Sequence, residues 1–126
     1  MSSKLTKAGV ASLIVGAAVS TAVLSAGPAN AAQVASSQLA PGAQVCAEQY
    51  ANYQVRVEGL ANKSLHFRVF RNGVAIASYP GSSAFAAELR SSWGNFPGGG
   101  YYKVCAVNNT TANNWASVSI RTDSEI

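Results

Sequence analysis

The chain has 126 residues, room for one domain on the usual figure of about 100–200 residues each. Nine Lys and Arg against five Asp and Glu give a formal charge of +4, but Lys4 and Lys7 lie in an apolar leader, and without them it falls to +2. The remaining basic residues, Arg56, Lys63, Arg68, Arg71, Arg90, Lys103 and Arg121, are spread along the chain. No clustered Lys/Arg footprint is present, so no nucleic-acid partner is expected.

The leader comes first. Lys4 and Lys7 precede an Ala-, Val- and Leu-rich run from Ala8 to Ala26; Gly27-Pro28 then breaks any helix, and Ala29-Asn30-Ala31 fits a small-x-small cleavage site. Residues 1–31 are read as a signal peptide and the protein as secreted. Ser12, Gly16, Ser20 and Thr21 weaken the run and no basic stop-transfer cluster follows, so no membrane contact is expected after cleavage.

Residues 32–42 are small and polar, end in Pro41-Gly42, and read as a flexible N-terminal arm. The domain is expected over 43–122, followed by a frayed tail at 123–126. Its first strand is Gln44–Gln49. Tyr53, Val55 and Val57 alternate with Gln54, Arg56 and Glu58, the cleanest half-buried strand in the chain. Gly59–Ser64 is a turn. Leu65, Phe67 and Val69 alternate with His66, Arg68 and Phe70, and Asn72-Gly73 signals a two-residue hairpin returning through Val74, Ile76 and Ser78. Pro80–Ser83 is the next turn. Phe85, Ala87 and Leu89 alternate in a further strand, although helix formers also occur there. Ser91–Gly100 is a loop holding Trp93 and Phe96. The strand Tyr101–Val107 follows, then a polar tip at Asn109–Asn114, and Ala116, Val118 and Ile120 mark a last strand.

About seven short strands with turns every eight to twelve residues is the pattern of an all-β antiparallel sandwich. Within it, Pro97-Gly98 followed by Tyr102-Lys103-Val104-Cys105-Ala106-Val107-Asn108 resembles the E–F corner and F strand of fibronectin type III and immunoglobulin-like domains of secreted bacterial proteins. That resemblance implies a tyrosine at the corner bonding back to the chain.

Two cysteines in a secreted domain imply one disulfide, Cys46 to Cys105. Closing a loop of this length is worth roughly 4 kcal/mol in the chain-entropy model. Both cysteines have parity opposite to the apolar positions beside them. The bridge is therefore expected to tie neighbouring strands or an edge, unlike the sheet-to-sheet bridge of immunoglobulin domains.

Catalytic and cofactor chemistry lacks its residues. The one histidine, His66, has outward parity, and with two distant cysteines it makes no zinc site. The five acids do not form a hydrolytic pair. Gly98-Gly99-Gly100 precedes a strand, whereas a phosphate loop opens a helix. The expectation is a non-enzyme without cofactor. Asn62, Asn108 and Asn109 match N-x-Ser/Thr and read as ordinary turn asparagines.

Loops of a sandwich alternate between two ends. One end gathers Tyr50–Asn52, Arg71-Asn72 and Ser91–Gly100, and its Arg71, Asn72, Arg90, Trp93, Asn95 and Phe96 form the candidate ligand or partner surface. Aromatics with arginine have the composition of binding hot spots; alternatively Trp93 and Phe96 fold back to plug the core. The first functional expectation is a monomeric, non-catalytic module binding an extracellular polysaccharide, a cell surface or a protein. A second is an inhibitor of a secreted hydrolase, an amylase or protease. Some amylase inhibitors are sandwiches of this size, but the chain lacks their second disulfide and Trp-Arg-Tyr run, and its Gly98–Gly100 triplet reads as loose. A third is a structural component of an envelope or spore surface.

Overall fold

The computed structural model describes residues 32–126; the signal-peptide reading falls on residues outside these. The described chain forms six antiparallel strands: β1 (Gln33–Leu39), β2 (Gln44–Ala51), β3 (Gln54–Arg71), β4 (Val74–Arg90), β5 (Gly100–Val107) and β6 (Asn114–Thr122). They pair in the order β1-β6-β3-β5-β2, with β4 on the other side of β3.

β3 is 18 residues long and β4 is 17, and this pair builds both layers of the sandwich. The first half of β3 pairs with β6 from Val55 to Ala61, and its second half pairs with β5 from His66 to Arg71. β4 follows β3 through both halves, from Arg71↔Val74 to Gln54↔Arg90. One layer is therefore β1, β6 and the ends Gln54–Ala61 and Ala84–Arg90 of the hairpin. The other is β2, β5 and the hairpin's Leu65–Arg71 and Val74–Ser82. The expected turns at Gly59–Ser64 and Pro80–Ser83 are bends inside these strands, so four of the about seven expected strands merge into two, and β1 brings the total to six. Register shifts between Leu60 and Leu65 and between Leu65 and Phe67 let the pair fold over without ending.

Alternation puts Val55, Val57, Leu65, Phe67, Val69, Tyr102, Val104, Ala116, Val118 and Ile120 between the layers, all buried. At the fold of the hairpin Phe67 and Tyr79 both pack on Phe85, ring centroids 5.0 and 4.6 Å apart. Gly59 makes this possible, because a Cβ there would lie 2.5 Å from Phe67 and 2.7 Å from Phe85. Tyr79 reads as outward in the sequence and packs inward instead. The bulge between Val69 and Phe70 shifts the register, so Ala77 and Tyr79 rather than Ile76 and Ser78 turn to the core.

Both chain ends depart from expectation. The supposed flexible arm is strand β1, paired with β6 from Gln33↔Ile120 to Leu39↔Asn114, with Ala35 and Leu39 in the core. Its Ser- and Gln-rich outward face hides the strand from a composition reading. The supposed frayed tail is a short 3-10 turn, Asp123–Glu125, with Asp123 buried.

Cys46 and Cys105 lie opposite one another on β2 and β5, Cα atoms 4.1 Å apart, and form the disulfide. The bridge ties an outer strand to its neighbour within one layer, as parity implies. The local corner also matches: the Tyr102 hydroxyl donates to the Gly98 carbonyl at 2.6 Å.

Candidate functional site

Strand directions bring Asn52-Tyr53, Asn72-Gly73, the loop Ser91–Gly99 and Asp123 to one end of the sandwich. The loop starts with a 3-10 turn, Ser91–Trp93, closed by Gly94 in the left-handed region at φ 77°, whose N–H donates to the Ser91 carbonyl. The Ser91 N–H and hydroxyl both donate to the Tyr53 carbonyl at 2.9 Å, which ties the loop to the start of β3.

Each of the six sequence-derived site residues lies at this end, but they do different jobs. The Asn95 side chain pairs with β4 like a one-residue strand, its Oδ1 accepting the Arg90 N–H at 2.9 Å and its Nδ2 donating to the Glu88 carbonyl at 3.2 Å. Phe96 stacks on Tyr102, centroids 5.6 Å apart, and closes the mouth of the core. Arg71 reaches across to the glycine triplet, its Nε donating to the Gly98 carbonyl at 3.2 Å and its Nη2 to the Gly99 carbonyl at 2.9 Å. Asn72, at φ 50°, exchanges two bonds with Tyr101: Asn72 N–H to the Tyr101 carbonyl, and Tyr101 N–H to Asn72 Oδ1. These four residues hold the loop and are spent internally. The triplet that reads as loose is thus fixed: Gly98 accepts from Tyr102 and Arg71 together, and a Cβ on Gly98 would meet Arg71 Nη2 at 2.9 Å. Burial pushes the Tyr102 phenol above its usual pKa, so it keeps the proton it donates.

The side chains of Trp93 and Arg90 make no bond to the loop: Trp93 faces solvent and Arg90 lies half-buried beside it. Trp93 is 60% exposed, and the Arg90 guanidinium lies 4.9 Å from its ring centroid. The Arg90 Nε donates in turn to the Glu88 carboxylate. Glu88 also takes Arg56 Nη1 at 2.8 Å, and Arg56 Nη2 reaches Glu58 at 2.7 Å. The hydrogen bond from Arg56, with Arg90 behind it, holds the Glu88 carboxyl below the usual carboxylate range. Of the alternatives open for the two loop aromatics, Phe96 plugs the core and Trp93 does not.

Two further aromatics join the surface: Tyr53 is 47% and Tyr101 56% exposed, the latter edge-on to Tyr50 at 5.1 Å. The outward parity of Tyr101 is legible from the sequence; that Tyr53 leaves its strand and turns to solvent depends on the loop that bonds it. This end exposes Trp93 on the pinned loop, Tyr53 in the β2–β3 connection and Tyr101 at the start of β5. Such a surface can bind a protein or a sugar, and it carries no acid–base pair.

Elsewhere, His66 Nε2 lies 2.6 Å from Ser78 Oγ. The pair sits on an open sheet face, and no carboxylate is bonded to His66 among the described residues, so it lacks the third group that would orient a base. No group of three His, Cys, Asp or Glu among the described residues could hold a metal ion. Asn108 is buried and donates to the Leu39 and Ala112 carbonyls, as a turn asparagine does, whereas Asn62 lies in the bend inside β3 and accepts the Trp115 N–H.

No protein-family model and no curated protein matches the sequence. Solved structures do share its architecture. PliG from Aeromonas hydrophila, a periplasmic lysozyme inhibitor of g-type lysozyme, is similar with a TM-score of 0.53 at 12% identity, over 80% of this chain and 94% of that one. The pre-peptidase C-terminal domain of a Bacillus anthracis collagenase gives 0.53 at 8% identity, over 80% and 92%. PliG from Salmonella Typhimurium gives 0.50 at 12%, over 82% and 98%. At such identities the likeness is one of fold: the chain shares an all-β architecture with inhibitor and accessory domains, and none of the three is described as fibronectin type III or immunoglobulin.

Proposed function

We propose that the protein is a non-catalytic binding protein of the extracellular or periplasmic space whose partner is a secreted hydrolase that it inhibits. The observation that carries this reading is the pinned loop end: Arg71, Asn72, Asn95 and Tyr102 fix Ser91–Gly99 from within, while Trp93, Tyr53 and Tyr101 face solvent. A loop ordered before binding loses little conformational freedom on association, and exposed aromatics beside an arginine supply hot-spot contacts. Two of the fold neighbours are lysozyme inhibitors, which supports the class of partner and leaves the enzyme open. The disulfide fits an oxidising compartment.

The test is a panel of g-type and other lysozymes, amylases and proteases assayed with the purified protein at micromolar concentration. Inhibition of one member is expected, with Trp93→Ala weakening it by about tenfold or more. Absence of inhibition across the panel, or full inhibition by the variant, would remove the reading. The same exposed rings could stack on a sugar, so peptidoglycan and other polysaccharides are titrated in parallel by tryptophan fluorescence. A response to a polymer alone would favour a polymer-binding module.

A further inference from the structure

An exposed ring swings between rotamers unless something holds it, and a ring that is still swinging loses that freedom when a partner fixes it. Pinning the backbone of Ser91–Gly99 does not by itself orient the Trp93 indole. The contact that orients it is the Arg90 guanidinium, 4.9 Å from the ring centroid. Arg90 is a long, flexible side chain in its turn, so its own place must be set from elsewhere.

The sheet sets it through register. Arg56 and Glu58 alternate outward on β3 and Glu88 and Arg90 outward on β4, with Arg56 opposite Glu88 and Gln54 opposite Arg90. The four charges therefore alternate in sign along one path. Glu58 accepts from Arg56 at 2.7 Å, Glu88 Oε1 accepts from Arg56 at 2.8 Å, and Glu88 Oε2 accepts from Arg90 Nε. Glu88 is the hub: its side chain is 13% exposed, whereas each of the other three is about a third exposed. Moving Arg90 breaks a charge-assisted bond to an acceptor that Arg56 holds from the other side. Neighbouring groups offer no substitute for Glu88. Glu58 is already bonded to Arg56, the residue opposite Arg90 is the neutral Gln54, and the residue opposite Arg56 on β6 is Arg121, of the same sign.

We infer that Glu88 is a positioning residue for Trp93: through Arg90 it holds the indole in the orientation a partner meets, although its carboxylate is bonded to arginines and not to the loop. Its use in binding rests on the reading of this end as the partner surface. The orientation of the ring is a property of the free protein and is measured without a partner.

The chain has two tryptophans, so Trp115→Phe leaves Trp93 as the sole reporter. Time-resolved fluorescence anisotropy of that protein should show a restricted ring. Adding Glu88→Gln should raise the share of the decay due to free ring motion by about two- to fivefold, the bias that an exposed cation–π contact exerts on a side chain. Arg90→Ala should free the ring equally, and the two changes together should free it no more than either alone, because they break the same chain. Glu88→Asp keeps a carboxylate and should restore part of the restriction. Circular dichroism of each variant should match the parent, since the ladder lies on the outer face of the sheet. In the inhibition assay Glu88→Gln should weaken the effect by about two- to fivefold, less than Trp93→Ala does. A ring already free in the parent, a ring as restricted with Glu88→Gln as without it, or additive effects of Glu88→Gln and Arg90→Ala would each overturn the inference. The expected anisotropy changes without any inhibited enzyme would uphold it and overturn the partner reading alone.

Discussion

Asp123 carries an unusual share of the site's order. It sits at φ 54°, a left-handed conformation that Asp tolerates better than most residues, and its carboxylate is turned inward. Oδ1 accepts the N–H of Asn52 and of Tyr53, each at 2.9 Å, and Oδ2 also lies 3.0 Å from the Asn52 nitrogen. The Asp123 carbonyl accepts Gln54 Nε2 at 2.7 Å. The β2–β3 connection is thereby clamped beside the loop that carries Trp93. Asp123→Ala leaves these amide donors without an acceptor and should lower stability by roughly 2–4 kcal/mol, measured by urea unfolding. Asp123→Asn keeps an oxygen and the backbone preference and should lose less. Nothing in the local pattern marks this role, because the partners lie about seventy residues away and the surrounding Thr-Asp-Ser-Glu reads as solvated tail. Tyr102 is the opposite case: a tyrosine following Pro-Gly at a strand entrance carries its hydrogen-bonding role in local sequence, and the structure shows the bond.

Among the elements, strands were legible wherever alternation was uninterrupted, as in β5, β6 and the Val55–Glu58 stretch of β3. Two kinds of element were not. β1 turns only Ala35 and Leu39 to the core among Ser and Gln, so its strand character comes from pairing with β6 more than from its own composition. The bends of β3 and β4 contain Gly59, Asn62, Pro80 and Gly81, which locally favour turns; a chain passing from one layer to the other uses those same residues to bend without stopping. The disulfide was legible in both its partners and its direction, since parity alone put both sulfurs on the face away from the apolar row. Its contribution follows from its place. Among the described residues β2 is an outer strand bonded to β5 alone, so the bridge fastens a strand that pairing holds on one side. Reduction, or Cys46→Ser with Cys105→Ser, should lower stability by roughly 2–4 kcal/mol. Amide exchange should then speed up first in Gln44–Ala51, while Val55, Val69 and Val118 keep their protection until global unfolding. Uniform loss of protection would mean that the bridge secures both layers and not the edge.

At the scale of the molecule, the site depends on the whole topology. Arg71 and Arg90 lie at opposite ends of the β3–β4 register, yet the folded hairpin returns both to one end, where a single loop can be bonded to each. Spacing in sequence could suggest that gathering; it could not show that Arg71, Asn72 and Asn95 would be consumed in holding the loop, because side-chain bonds follow from distances set by packing. The hairpin has a kinetic consequence as well. Since one strand pair supplies part of both layers, neither layer has a complete set of strands to form alone. Its Asn72-Gly73 turn is the contact nearest in sequence, whereas β3 must wait for β5 and β6 to close long loops. Folding should therefore run as one cooperative event with the slowness of a high-contact-order β-protein, in milliseconds to seconds. Fluorescence of Trp115 on β6 and far-ultraviolet dichroism should trace coincident transitions with single-exponential kinetics. An early phase in one probe alone would show that one layer can assemble ahead of the other.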